Sequence, residues 1–317
     1  MATPNRRLRL LIALLVAAIL WLVAMLSWWL SGSLAPLIFF GYLGTVLAPG
    51  LALYLGLPRS QRLKQRRFVV VAIGVAMFGA ALARVLTQQA IVQVEGLVFE
   101  LLAGVFGAAV LHFLIAKLVG PLLFGRVYCG WACWTAMLLD LLPFRISPGR
   151  RRGFWPKVRY LHLTASVLLV LVLGLGFAYR PGPADALIWF LVGNGLYYGL
   201  GVGLALGLRD NRAFCKYACP AGLLAKPAAR FALLKVAGDP TRCNGHAECV
   251  AVCPMDIRII DYTRLHLRVL STECILCQNC TTICPDGGLS LSLGFETHGV
   301  ELLREPRPPV PHHNAGP

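Results

Sequence analysis

Eleven cysteines lie between residues 129 and 284 of this 317-residue chain, and most of them fall into two runs with one arithmetic. Cys274, Cys277, Cys280 and Cys284 stand at offsets 0, +3, +6 and +10, and Pro285 follows. Three thiolates on one tight loop reach three corners of an iron–sulfur cube, while the fourth starts a helix pointing elsewhere; this is the bacterial C-x2-C-x2-C-x3-C-P run. A zinc site would want two C-x2-C pairs. The earlier run repeats the offsets with Cys243, His246, Cys249 and Cys253, followed by Pro254. In two-cluster proteins the fourth cysteine of each run ligates the other cluster. The expected pairing is therefore a 4Fe–4S cluster on Cys274, Cys277, Cys280 and Cys253. A second cluster falls to Cys243, Cys249 and Cys284, with His246 beside its fourth corner. Three readings of that corner stand open: His246 ligates a fourth iron, the cluster is a 3Fe–4S form with His246 unligated, or the half-site binds nothing.

Two further pairs, Cys129-x3-Cys133 and Cys215-x3-Cys219, sit in matching contexts: Arg126-Val-Tyr128-Cys129 against Arg212-Ala-Phe214-Cys215. Spacing i, i+4 is expected to put both thiols of a pair on one side of a helix. The four sulfurs then form a shared metal centre, which would be a third one, or serve as two redox dithiols. Repetition of Arg-x-aromatic-Cys-x3-Cys argues against cysteines that merely pack.

The elements that position these cysteines are apolar. The chain is 57% hydrophobic and 14% charged, with a mean hydropathy of +0.69; soluble domains carry about 25% charge. Apolar runs at about 8–30, 34–57, 68–86, 97–119, 160–179 and 186–208 each approach the ~20 residues that a helix needs to cross a bilayer. Residues 1–209 hold 19 Lys/Arg against 4 Asp/Glu, whereas 210–317 hold 11 against 10. Positive charge concentrated in the apolar half points to membrane lipid as a partner and away from nucleic acid. The basic loops are those around Arg6–Arg9, Arg59–Arg67 and Arg126–Arg159, which places both termini in the cytoplasm. Arg6-Arg7 before an apolar stretch resembles an export signal, but the stretch is too long and lacks a small-residue cleavage site, so it reads as a retained anchor. Cysteines kept for clusters must be reduced, which agrees with a cytoplasmic site.

The expected fold is an α-helical membrane bundle of about six transmembrane helices plus a small α+β ferredoxin-like two-cluster domain. Residues 1–209 form the bundle, with a cytoplasmic C-x3-C loop at 125–159, and 210–235 carry the second C-x3-C-P element. Residues 236–296 form the ferredoxin-like domain, with strands expected at Ile257–Ile260 and Leu289–Leu293. Residues 297–317 are a Pro-rich tail expected to be disordered.

These elements together resemble the membrane-bound polyferredoxin family of NapH and MauN, with more distant likeness to NosR and CcoG. The likeness covers about Gly125 to Leu293: paired C-x3-C elements after transmembrane helices, then two ferredoxin runs. It implies electron transfer at the cytoplasmic face of a bacterial inner membrane, in some members as a quinol dehydrogenase. The sequence departs from the family at Trp134, where a proline is expected, and at His246.

Quinol oxidation needs an apolar slot and a proton acceptor. Ionisable groups within spans are candidates by default, and His112 and His162 are those nearest the paired cysteines; Glu95 and Glu100 are candidates on the opposite side. The partner would be the quinone pool or another redox protein. The rival reading is an accessory protein that matures a partner metalloenzyme, with Cys129, Cys133, Cys215 and Cys219 binding copper or exchanging thiols.

Overall fold

The computed structural model of the protein describes residues 6–32, 34–88, 91–144, 146–296 and 299–306. Among them are α1 (Arg6–Ser31), α2 (Leu34–Gly56) and α3 (Arg59–Gln88), all long enough and apolar enough to span a membrane. Trp21 of α1 lies against Gly41 and Gly44 of α2, where the missing side chains let the ring come close. Two more apolar stretches qualify as spans, Trp155–Gly176 and Ala184–Leu208, contained largely in α9 (Val158–Leu171) and α10 (Pro183–Leu208).

Between α3 and α9 the chain departs from the expected single helix over 97–119. Instead α4 (Val94–Leu102) ends in a turn, and α5 (Ala108–Phe113) starts a separate helix. Gly104 adopts a φ of +65° in this turn, and the Glu100 carboxylate accepts from Ala109 N (3.1 Å) and Val110 N (2.8 Å). A side chain thus satisfies the amides exposed at the start of α5, which is why so apolar a stretch tolerates a break. After α5 comes a π-helical stretch, Leu114–Val119, then α6 (Gly120–Phe124). Pro121 has no amide to donate, a natural place for the ladder to shift register. Residues Ala109–Phe124 and Val127–Leu139 form a candidate span bent by 100°. Its second arm consists of α7 (Val127–Trp131) and α8 (Trp134–Leu139).

Beyond α10 the chain makes three short helices, α11 (Ala213–Tyr217), α12 (Pro220–Leu224) and α13 (Lys226–Arg230), and enters the ferredoxin-like unit. Here β1 (Leu234–Gly238) pairs antiparallel with β2 (Leu289–Leu293), in the register Leu234↔Leu293 to Gly238↔Leu289. The strands bracket both cysteine runs, and α14 (Glu248–Ala251), α15 (Ile259–Arg264) and α16 (Asn279–Ile283) lie between them. The strand expected at Ile257–Ile260 does not form. Ile257 makes a single bridge to Leu303, and from Ile259 the chain coils into α15, because the apolar side chains here fill a core with Val236, Tyr262 and Leu289 rather than one sheet face. The tail also differs from expectation over its described part. Glu301 accepts from Thr272 N, and Arg304 pairs with Asp256 at 2.9 Å. These contacts tie 299–306 to the domain. Residues 307–317 lie outside the described set.

Candidate redox centres

The second cysteine run is a loop whose backbone turns left-handed twice, at Leu276 (φ +48°) and Gln278 (φ +61°), before α16 begins. Two such turns in three residues aim successive side chains inward. Cys274, Cys277 and Cys280 line one cavity together with Cys253 from the other run. A second cavity gathers Cys243, His246, Cys249 and Cys284, with Asp286 at its wall. The fourth cysteine of each run therefore stands with the other run's first three, as the exchanged pairing requires. Burial pushes the Cys253 thiol up to about 12 and the Cys249 and Cys274 thiols to about 11. Filling either cavity with metal must displace protons from these sulfurs.

None of the eleven cysteines is joined in a disulfide. Among the described residues no three His, Cys, Asp or Glu side chains converge tightly enough to hold a single metal ion. Sulfurs spread around a cavity suit a polynuclear cluster, whose corners lie apart. Apolar side chains, among them Val236, Met255 and Ile275, close the first cavity and supply the water-poor surroundings that tune a cluster.

The four remaining cysteines also gather, two within the second arm of the bent candidate span and two beyond the end of α10. Cys219 stands within electrostatic range of Cys215, Cys129 and Cys133. The pairs do not ride on single helices, contrary to the i, i+4 expectation. Cys129 lies in α7 and Cys133 precedes α8; Cys215 lies in α11 and Cys219 precedes α12. The two breaks match closely, with φ/ψ of −73°/118° at Cys133 and −72°/112° at Cys219. In each, the second cysteine's amide returns to the carbonyl of the aromatic residue before the first cysteine, Tyr128 or Phe214, at 2.9 Å. Trp134 thus keeps the turn made with Pro220 after Cys219, and its indole donates to Asn194 Oδ1 at 2.8 Å. Burial, reinforced by the neighbouring thiols, drives Cys219 up to about 12.

Cations crowd this site. Arg212 donates to Cys129 O (3.0 Å) and reaches Cys215 Sγ at 3.8 Å, while its other nitrogens grip the Asp140 carboxylate at 2.6 and 2.8 Å. Fully buried Arg126 pairs with Glu273 at 2.8 Å. Lys117, turned inward by the π-helical stretch, holds its ammonium 4.1 Å from the Tyr128 ring centre and within electrostatic range of Cys129. Positive charge of this kind favours thiolates and an anionic cluster.

The candidate histidines flank the two elements. The His112 ring packs 5.7 Å from Tyr128 and 6.1 Å from Trp134. His162 lies with Nδ1 2.7 Å from Ala218 O, between Cys215 and Cys219 in sequence, and its ring is 5.5 Å from that of Tyr197. The hydroxyls of Tyr128 and Tyr197 are buried without a partner. Neither Glu95 nor Glu100 stands free: Glu95 accepts from Ser166 at 2.7 Å, and Glu100 caps α5.

The paired cysteines and the ferredoxin-like domain share a boundary. Cys129 belongs to the same buried cluster as Cys253, Ile275, Leu276 and Cys277. The Trp131 indole donates to Leu276 O at 3.0 Å. Glu273, next to Cys274, receives Arg126, Arg150, Arg159 and Lys226 at 2.8 to 3.2 Å. Burial would raise its carboxyl, but these cations hold it well below the usual range. Lys216, fully buried, joins Asp210 (2.6 Å) to Asp256 (2.5 Å) across the same boundary. Sequence reading missed Lys117, Asp140, Glu273 and Asp256; only Lys117, a charge inside an apolar run, carried a signal of its own.

The profile of a 4Fe-4S dicluster domain matches residues 235–285, and that of a 4Fe-4S binding domain matches 106–152 and 195–236. An uncharacterized protein of Methanocaldococcus jannaschii is 30% identical over 200 residues, 59% of this chain and 74% of that protein. The methylamine utilization ferredoxin-type protein MauN of Methylobacillus flagellatus is 27% identical over 142 residues, 41% of this chain and 48% of its own. The ferredoxin-type protein NapH of Haemophilus influenzae is 24% identical over 198 residues, 55% of this chain and 64% of its own. No solved structure matches the chain. Exchanged cysteine pairing, membrane-spanning helices and these likenesses agree: the chain belongs to the NapH/MauN-type family of membrane-bound polyferredoxins, iron–sulfur proteins of electron transfer.

Proposed function

We propose that the protein takes electrons from membrane quinol and passes them, at the cytoplasmic face of the inner membrane, to a partner redox protein. Both termini then lie in the cytoplasm, as the basic loops require. Cys274, Cys277, Cys280 and Cys253 hold one 4Fe–4S cluster, and Cys243, Cys249 and Cys284 hold a second. Cys129, Cys133, Cys215 and Cys219 hold a third centre at the membrane surface. Bound clusters supply one-electron chemistry with little reorganisation.

The observation that carries this reading is that Cys129 shares one buried cluster with Ile275–Cys277, while its neighbours Gly130 and Trp131 meet the backbone of that loop. This supports a route from the paired cysteines to the first ferredoxin cavity. The second cavity lies further along, with His246 half exposed at its edge, where a soluble partner has access. Quinol gives up two protons with its two electrons. The rings of His112 and His162 and the unpartnered hydroxyls of Tyr128 and Tyr197 offer proton acceptors and hydrogen-bond donors next to the paired cysteines.

The test uses anaerobically purified full-length protein in liposomes. Reduced quinol is expected to bleach the cluster absorption and raise the EPR signals of reduced clusters. Clusters that respond to dithionite but not to quinol would overturn the quinol reading. Stoichiometric Cu(I) capture lost in Cys129→Ser and Cys215→Ser would put an accessory role in its place.

A further inference from the structure

The two cysteine runs differ at one ligand position, and the structure shows a second difference that answers it. His246 occupies the place of Cys277. The following residues, Ala247 and Gln278, share one left-handed backbone conformation, with φ/ψ of 57°/11° and 61°/13°, and each opens the helix that carries the third cysteine. The loop bearing His246 has therefore kept the geometry of a working ligand loop. A half-site freed from metal binding has no reason to hold an alanine at positive φ.

The second difference lies two residues beyond the cysteine that each cavity borrows from the other run. After Cys253 comes Pro254 and then Met255, buried in the wall of the cavity that has Cys277. After Cys284 comes Pro285 and then Asp286, in the wall of the cavity that has His246. The Asp286 Oδ2 atom stands 3.3 Å from His246 Nδ1. A thiolate ligand faces an apolar wall; the imidazole faces a carboxylate. Histidines that ligate metals commonly donate their second ring N–H to a carboxylate, which fixes the tautomer and orients the ring.

We propose that His246 ligates the fourth iron of the second cluster through Nε2, and that Asp286 positions it by accepting from Nδ1–H. This rests on the reading of Cys243, Cys249 and Cys284 as the other three ligands. A neutral imidazole in place of an anionic thiolate leaves this cluster less negative and raises its potential relative to the all-cysteine one. The more exposed cluster is then the electron-accepting end of the protein.

Pulsed EPR of the reduced full-length protein tests the ligand directly. The wild type is expected to show the hyperfine coupling of a coordinated nitrogen on one cluster. In His246→Cys that coupling disappears, four irons remain, and the midpoint potential of that cluster falls. In Asp286→Ala the fourth iron binds about 10- to 100-fold more weakly, read as growth of a 3Fe–4S signal under mild chelation. Absence of nitrogen coupling in the wild type, or a 3Fe–4S signal in protein kept strictly anaerobic, would overturn the ligation. Iron retention by Asp286→Ala equal to the wild type would overturn the role of Asp286. If Cys243→Ser leaves iron content unchanged, the underlying cluster assignment fails instead, and the two failures are told apart. Should His246→Cys not fold, the wild-type coupling decides alone.

Discussion

Gly130 and Ile275 meet backbone to backbone where the membrane bundle touches the ferredoxin-like domain: a Cβ at position 130 would lie 2.2 Å from Ile275 O. No side chain fits between them. The Arg66 guanidinium, over the Trp131 ring at 5.1 Å from its centre, donates to Gly130 O at 2.5 Å, which ties α7 to α3 at this contact. Gly130 therefore sets how close the paired cysteines come to the loop of the first cluster.

Gly130→Ala should push these elements apart. Overpacking of this kind costs about 1–3 kcal/mol. The expected readout is faster amide hydrogen exchange at Ile275–Cys277 and a lower unfolding midpoint, with iron content retained. Wild-type exchange in this loop would show that the contact does not hold the domain in place.

Glu273→Gln should be the most damaging single charge change at the boundary. It removes the anion shared by Arg126, Arg150, Arg159 and Lys226, and stranding buried charge costs about 3–5 kcal/mol. Denaturant unfolding followed by cluster absorption measures this. The exposed pair Arg152–Glu305 is the control: Glu305→Gln should change stability by no more than about 1 kcal/mol. Equal effects from the two variants would contradict the central place given to Glu273.

The exchange of fourth cysteines predicts crossed losses. Cys253→Ser should abolish the cluster of the later run, Cys274, Cys277 and Cys280, and spare the other. Cys284→Ser should do the reverse. EPR of each reduced variant resolves which signal vanishes, and losses confined to the mutated run would contradict the pairing.

Cysteine offsets alone grouped Cys253 with Cys274, Cys277 and Cys280, and Cys284 with Cys243, His246 and Cys249, the same sets that line the two cavities, because a cluster leaves little freedom in the spacing of its ligands. Apolar length led to the spans at α1, α2, α3, α9 and α10 for a similar reason: bilayer thickness dictates it. What the sequence hid was tertiary. Nothing local reveals that Glu100 reaches across a turn to cap α5, so 97–119 reads as one helix. The i, i+4 spacing of Cys129 and Cys133 reads as helical, while the chain breaks between them and places the second thiol ahead of a new helix. The Ile257–Ile260 run reads as a strand because alternation cannot tell a sheet face from a core filled on several sides. The ion-pair hub at Glu273 gathers Arg126, Arg150 and Arg159 from more than a hundred positions away, and that at Asp256 joins Lys216 and Arg304, 40 and 48 positions off, so no short window along the chain contains both partners.

The most direct measurement compares reduced full-length protein with Cys129→Ser by EPR, together with iron and acid-labile sulfide per chain. A membrane-surface cluster packed against the first ferredoxin cluster predicts a drop of one cluster's iron and sulfide in the variant. It also predicts sharpening of the signal from the cluster of Cys253, Cys274, Cys277 and Cys280 as a magnetic neighbour is removed. Identical iron, sulfide and spectra in the two proteins would contradict a redox centre at the paired cysteines, and with it the route from the membrane into the domain.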